Sequence, residues 1–209
     1  MEKNMPDERT GHWDDVYRER DESRLSWHQD DPAISLELFG IAGIDETSVI
    51  DIGAGTSRFA TRLVERGVHD VTVLDVSGAA LDRSRRQLGE AADRIDWITA
   101  DVRTWPPVRT YDLWHDRAMF HFLVDARERA AYRSRLRRAL RPGGHAIIAT
   151  FAHDGPEACS GLPVVRYEPD GLRRALGDRF TLVAHRHHVH HTPWGSPQSF
   201  QYSLLRLDE

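Results

Sequence analysis

The chain has 209 residues, 40% of them hydrophobic and 29% charged, with a formal net charge of −5. That is enough for one α/β domain with a full core. No apolar run reaches the length of a membrane span, and the acidic balance argues against a general nucleic-acid binder.

Cys159 is the only cysteine, so an intramolecular disulfide is excluded, and a reducing, cytoplasmic location is the expectation. The polar start, Met1 to Arg9, has no signal-peptide core. Residues 1–10 read as disordered. A short helix is expected over 12–20, with Trp13, Val16 and Tyr17 on one side, then Leu25-Ser26-Trp27-His28-Gln29 and Pro32. A second helix over 33–40 carries Ile34, Leu36, Leu38 and Phe39. Residues 1–45 are thus expected as a helical cap on a core of 46–209, the whole forming one domain.

The core opens with an apolar run over 48–52, which reads as a buried parallel strand. Gly53 and Gly55 follow around Ala54, and the pattern then turns helical at Phe59, Ala60, Leu63 and Val64. A strand, a glycine turn and a helix start make a nucleotide-binding geometry, in which glycines let the backbone bend tightly and approach a ligand. Gly67 is a natural end for that helix. A second strand over 71–75 ends in Asp75, followed by Val76. An acidic residue at that point can accept both ribose hydroxyls of an adenosine cofactor. Arg58 stands where the third glycine of a dinucleotide fingerprint would be, which argues against NAD and for an adenosine cofactor without phosphates.

Ser77 can cap a helix over 78–91. A third strand over 95–100 leads to Asp101 and Val102, and Trp105-Pro106-Pro107 makes a rigid loop. The fourth strand, 111–115, ends in Asp116-Arg117-Ala118-Met119-Phe120-His121. An arginine-rich helix over 133–140 runs into Arg141-Pro142-Gly143-Gly144 and a fifth strand over 146–151. A long loop, 153–163, is expected to border the substrate site. A helix over 171–176 precedes strands over 180–191 and 199–207.

The acidic-x-Gly-x-Gly of Asp51 to Gly55, the acidic end of the second strand and the helix–Pro-Gly-Gly–strand junction resemble the class I S-adenosylmethionine-dependent methyltransferases. The specific motifs span 49–151, and the remainder resembles the family by layout. The resemblance implies an α/β, Rossmann-like sheet of seven strands, mostly parallel with the last antiparallel, and helices on both faces. It implies S-adenosyl-L-methionine as cofactor, contacted by Trp13, Trp27, Asp51, Gly53, Ala54, Gly55, Asp75, Val76, Asp101, Val102 and Asp116. Asp101 would meet the adenine amino group.

Ligands in open parallel sheets sit at the carboxyl ends of the strands, so His115, Asp116, Arg117 and His121 are expected to face the reacting methyl group. Trp13…Tyr17…Trp27-His28…Pro32 is similar to the opening of thiopurine, tellurite and halide/thiol methyltransferases. It points to a small-molecule acceptor, such as a thiol, in an aromatic pocket. A protein lysine is the alternative acceptor, and a non-catalytic cofactor-binding module is the third reading. Cys159 reads as an ordinary loop thiol. Five of the 12 histidines fall between His185 and His191. On a strand, His185, His187 and His191 would share one face and His188 and His190 the other. No cysteine or carboxylate stands beside them in sequence, so no metal is expected.

Overall fold

The computed structural model describes residues 8–44 and 48–208. The disorder expected for residues 1–7 lies outside the described residues. Residues 8–10 are instead the first turn of α1 (Glu8–Glu19). A 3-10 turn over Glu22–Arg24 follows, whose Asp21 side chain accepts from the Ser23 amide. Helix α2 (Ala33–Ala42) closes on Gly43 in the left-handed region.

Seven strands form one sheet, in the order β3-β2-β1-β4-β5-β9-β8. They are β1 (Ser48–Ile52), β2 (Asp70–Asp75), β3 (Ile95–Thr99), β4 (Tyr111–Arg117), β5 (Leu140–Phe151), β8 (Phe180–His191) and β9 (Pro197–Leu207). β1 pairs in parallel with both β2 and β4. β9 pairs antiparallel with both β5 and β8. The final strand is therefore inserted between its predecessors, and β8 takes the sheet edge. A two-stranded hairpin, β6 (Ala158–Cys159) with β7 (Leu162–Pro163), interrupts the loop expected over 153–163.

Side chains alternate across the strands, which divides the core into two layers. Val49, Leu113, Ile147 and Tyr202 face α2, α3 (Phe59–Glu65) and α4 (Gly78–Leu88). Ile50, Trp114, Ile148 and Leu205 face α5 (Ala126–Ala139) and α6 (Pro169–Leu176). α5 is two turns longer than expected, because Asp125 caps it through the Arg127 amide. The arginine-rich run alone does not show that start.

The crossover between β1 and β4 opens a crevice at the carboxyl ends of the strands, as the topology requires. Among the described residues, no helix is long and apolar enough to cross a membrane.

Candidate active site

Two adjoining cavities occupy that crevice, sharing Trp27, Gly53 and Arg117. The larger runs from Asp75, Val76, Asp101 and Val102 to the cap aromatics Trp13, Tyr17 and Trp27, with Met119, Phe122, Leu123 and Cys159 on its wall. The smaller is bounded by Ser35, Asp51, Ala54, Thr56, Arg58 and His115.

The glycine turn is shaped by what presses on it. Gly53 has φ +60 and donates to the Leu74 carbonyl at 2.8 Å. A Cβ there would stand 2.6 Å from that of Met119. Gly55 has φ +53, and a Cβ there would run into the Tyr17 hydroxyl. Both positions are closed to larger residues by conformation and by contact. The Gly55 amide donates to Asp75 Oδ2 at 2.7 Å and the Ser77 amide to Oδ1 at 2.8 Å. Burial raises the Asp75 carboxyl to about 6, against the pull of these two amides. Asp101 is held by Arg103, whose backbone amide donates at 2.8 Å and whose Nε donates at 2.8 Å. Arg103 also reaches Glu128, at 2.5 Å.

The residues expected after the fourth strand divide between the two faces. His115 lines the smaller cavity and Arg117 lines both. Asp116 and His121, expected to face the reacting group, line neither. Asp116 points to the α5 side, where Oδ1 accepts from the Met119 and Phe120 amides and Oδ2 from the Tyr132 hydroxyl. Tyr132 in turn accepts from Trp114 Nε1 at 2.8 Å. The Asp116 carboxylate is a clamp on the 119–120 turn, and burial raises it to about 6. His121 is fully buried against Phe122 and Phe151. Its Nδ1 accepts from the Phe151 amide at 3.3 Å. Burial, with the Arg117 charge second, lowers it to about 3, so it stays neutral. Both were expected to face the reacting group, and the structure places them behind the cavity walls instead.

The cap is anchored at several points. Ser77 Oγ donates to Asp14 Oδ1 at 2.6 Å, and Arg83 donates to the Tyr17 and Arg20 carbonyls at the end of α1. The Trp27 segment is held from below. Arg117 Nη1 donates to the Trp27 carbonyl at 2.8 Å, and His190 Nε2 donates to that of Ser26 at 2.7 Å. Trp13 packs edge-on against Trp27 and Phe122, at centroid distances of 5.6 and 5.1 Å. Cys159, expected as an ordinary loop thiol, stands in the β6–β7 hairpin. It is buried on the cavity wall, and burial pushes it up to about 11.

On β8, His185, His187 and His191 are exposed and His190 is buried, as the two-residue period requires. Among the described residues, no three histidine, cysteine or acidic side chains are grouped to hold a metal ion.

Three polar atoms on residues that line the smaller cavity are buried without partners, Asp51 Oδ2, Arg117 Nη2 and Arg58 Nε. An unpaired carboxylate oxygen and an unpaired guanidinium N–H are costly unless a ligand answers them. Together they match a zwitterion, while the larger cavity offers two carboxylates among apolar walls.

Met119, Leu123, Arg103, Ser35 and Arg58 join the site without having been expected. Met119 and Leu123 follow β4 closely enough for the strand-end rule to have found them. Ser35 has no local signal.

Residues 49–144 match the model of a methyltransferase domain. Trans-aconitate 2-methyltransferase of Azoarcus sp. (strain BH72) is 36% identical over 100 residues, 48% of this chain and 37% of that protein. The chain thus spans well under half the length of that curated relative. Two solved structures share the fold. One, from work on the conversion of a disulfide bond into a thioacetal group during echinomycin biosynthesis, has a TM-score of 0.74 at 24% identity, covering 95% of this chain and 93% of that one. The other, the N-methyltransferase NodS from Bradyrhizobium japonicum WM9 in complex with S-adenosyl-L-homocysteine, has a TM-score of 0.68 at 18% identity, covering 95% of this chain and all of that one. Residues 49–144 are thus similar to a methyltransferase domain, and the chain as a whole has the fold of the N-methyltransferase NodS.

Proposed function

We propose that the chain transfers a methyl group from S-adenosylmethionine to a small molecule held under its N-terminal cap. The carrying observation is the crevice itself, with Asp75 pinned by two amides at one end and the unpartnered Asp51 oxygen at the other. Asp75 would accept from the ribose hydroxyls, and Val76, Asp101 and Val102 would border the adenine. Asp51 Oδ2 and Arg117 Nη2 suit the ammonium and carboxylate of the methionyl end. Gly53, Ala54 and Gly55 bring the backbone close, and Trp13 and Trp27 close the site from above. Residues 1–45 act in this reading as the cap of one domain completed by 46–209.

When bound, the cofactor supplies an electrophilic methyl carbon on a sulfonium. The protein's part is orientation and exclusion of water. The aromatic walls also favour a positive sulfonium.

Four ionisable side chains on the cavity walls, His115, Cys159, Tyr17 and Arg117, are unsuited to take an acceptor proton. His115 is bonded at both ring nitrogens, to Asp51 and Ser35. Cys159 is held protonated, and burial also raises Tyr17, out of reach of neutral pH. Arg117 is a cation. A thiol or a carboxylate acceptor suits such a site, since neither depends on a strong protein base. The names of similar proteins divide on the acceptor: one refers to trans-aconitate and one to the making of a thioacetal group, whereas NodS is an N-methyltransferase. The closed cap, with Trp13 against Trp27 and Phe122, works against the alternative of a lysine on a folded protein.

Methyl-labelled S-adenosylmethionine, incubated with the protein and either pools of small thiols and carboxylic acids or lysate proteins, tests this reading. Label in the small-molecule fraction is expected. Label confined to protein, or binding of NAD in place of S-adenosylhomocysteine, would sink it.

A further inference from the structure

We propose that His115, held by Ser35, is a positioning residue that aims the Asp51 carboxylate at the ammonium group of the methionyl end of the cofactor. The inference rests on the cofactor reading above.

Asp51 and His115 are partners across the β1–β4 ladder, so the strand register itself sets them side by side. Asp51 Oδ1 lies 2.6 Å from His115 Nδ1, and Ser35 Oγ lies 2.9 Å from Nε2. Each of the three residues is 1% exposed. A carboxylate accepts, so Nδ1 carries a proton and donates to Asp51, while the hydrogen bond with the Ser35 hydroxyl occupies Nε2. Phe59 stacks on the imidazole, with centroids 3.9 Å apart and planes inclined by 25°, which fixes the ring orientation.

This chain of bonds uses one oxygen of Asp51 and leaves Oδ2 buried without a partner. A buried carboxylate oxygen kept unpaired is expensive, and an ammonium group is the partner that best offsets it. Because Nε2 is already taken, His115 has no free nitrogen for an acceptor proton. It is therefore no general base, although it lies at the strand end expected to face the reacting methyl group. Ser35 lies in the first turn of α2. The cap is thereby joined to the glycine turn through the same three side chains, and displacing α2 would release the Asp51 rotamer.

Two ligands separate this role from a merely structural one. S-adenosylhomocysteine carries the amino-acid end, whereas 5′-methylthioadenosine has the adenosine and lacks the amino acid. Calorimetric titration of the full chain with each is the measurement. We expect His115→Phe to weaken S-adenosylhomocysteine about tenfold or more and 5′-methylthioadenosine less than about twofold, as loss of one charge-assisted contact implies. His115→Asn retains an N–H near the Nδ1 position and should recover much of the loss. Ser35→Ala should weaken S-adenosylhomocysteine about threefold, the scale of one neutral hydrogen bond. It also serves where His115→Phe does not fold. Equal losses for both ligands, or no loss for either, would overturn the assignment. Failure of the unaltered protein to bind both ligands would instead overturn the cofactor reading on which it rests.

Discussion

Adding one methyl group at Gly55 should unseat the N-terminal cap. Gly55 sits at φ +53, where a side chain costs about 1–2 kcal/mol. The new Cβ would meet the Tyr17 hydroxyl well inside contact distance and the ring Cζ at 2.9 Å. Tyr17 is 6% exposed and is wedged among Trp13, Trp27 and the glycine turn, so it has little room to yield. Expelling it forfeits the burial of a large side chain, about 1.5–3 kcal/mol. The two terms together are about 2.5–5 kcal/mol, which for a chain of this size corresponds to a fall in Tm of about 5–20 °C if felt by the whole fold.

The cap is the part that can leave, because the Asp14 and Arg83 contacts holding α1 lie at its junction with α4. Gly55→Ala should therefore lower Tm and expose the α1 arginines, Arg18 among them, to trypsin. Thermal melts and timed proteolysis give both readings. Gly55→Ala with Tyr17→Phe removes the atom of nearest approach and should recover part of the loss, a coupling that a double-mutant cycle isolates. A Gly55→Ala protein with unchanged Tm and unchanged cleavage would refute the reasoning.

Asp75→Ala should cost about 1.5–3 kcal/mol of S-adenosylhomocysteine binding, the range for hydrogen bonds to a charged group; unchanged calorimetric affinity would remove the ribose assignment. The same affinity should drop about tenfold from pH 7 to pH 5, because ribose hydroxyls need the ionised carboxylate and burial raises Asp75 to about 6. A flat profile would count against Asp75 as the acceptor. Asp116 is raised in the folded state, so its contribution to stability is complete below about pH 4 and is lost as pH rises through about 6. Asp116→Asn keeps an oxygen for the Met119 and Phe120 amides, and should raise stability at pH 8 by about 1–2 kcal/mol, with the gain fading toward pH 4.5. Denaturant melts at the two pH values check the sign. With no cluster of metal-ligating side chains among the described residues, methyl transfer should survive EDTA; loss of activity restored by zinc or iron would contradict this.

The order of strands and helices was legible because its signals are local. The apolar run at β1, the two glycines after it and Asp75 at the end of β2 follow from strand period and turn chemistry. The bounds of β1 and β8 match the expected residues throughout. The start of α5 is set by its cap at Asp125, a local signal that lies eight residues before the arginine-rich run at 133. The aromatic cap over the cleft came from the spacing of Trp13, Tyr17 and Trp27 together with family layout, since nothing local ties residue 13 to residue 53.

What only the tertiary structure decided is which way the residues around β4 point. Neighbours on a strand face opposite sides, so His115 meets Asp51 while Asp116 meets Tyr132 behind the sheet. The strand-end rule places both at the cleft and does not distinguish its faces. Ser35 reaches His115 across 80 residues of sequence, and Cys159 reaches the cavity wall through a hairpin that the loop composition does not announce. Local sequence sets element type through backbone preference and period. The partners of a polar side chain are set by how elements from distant parts of the chain pack, and here that packing decides which acidic and basic groups can touch a ligand.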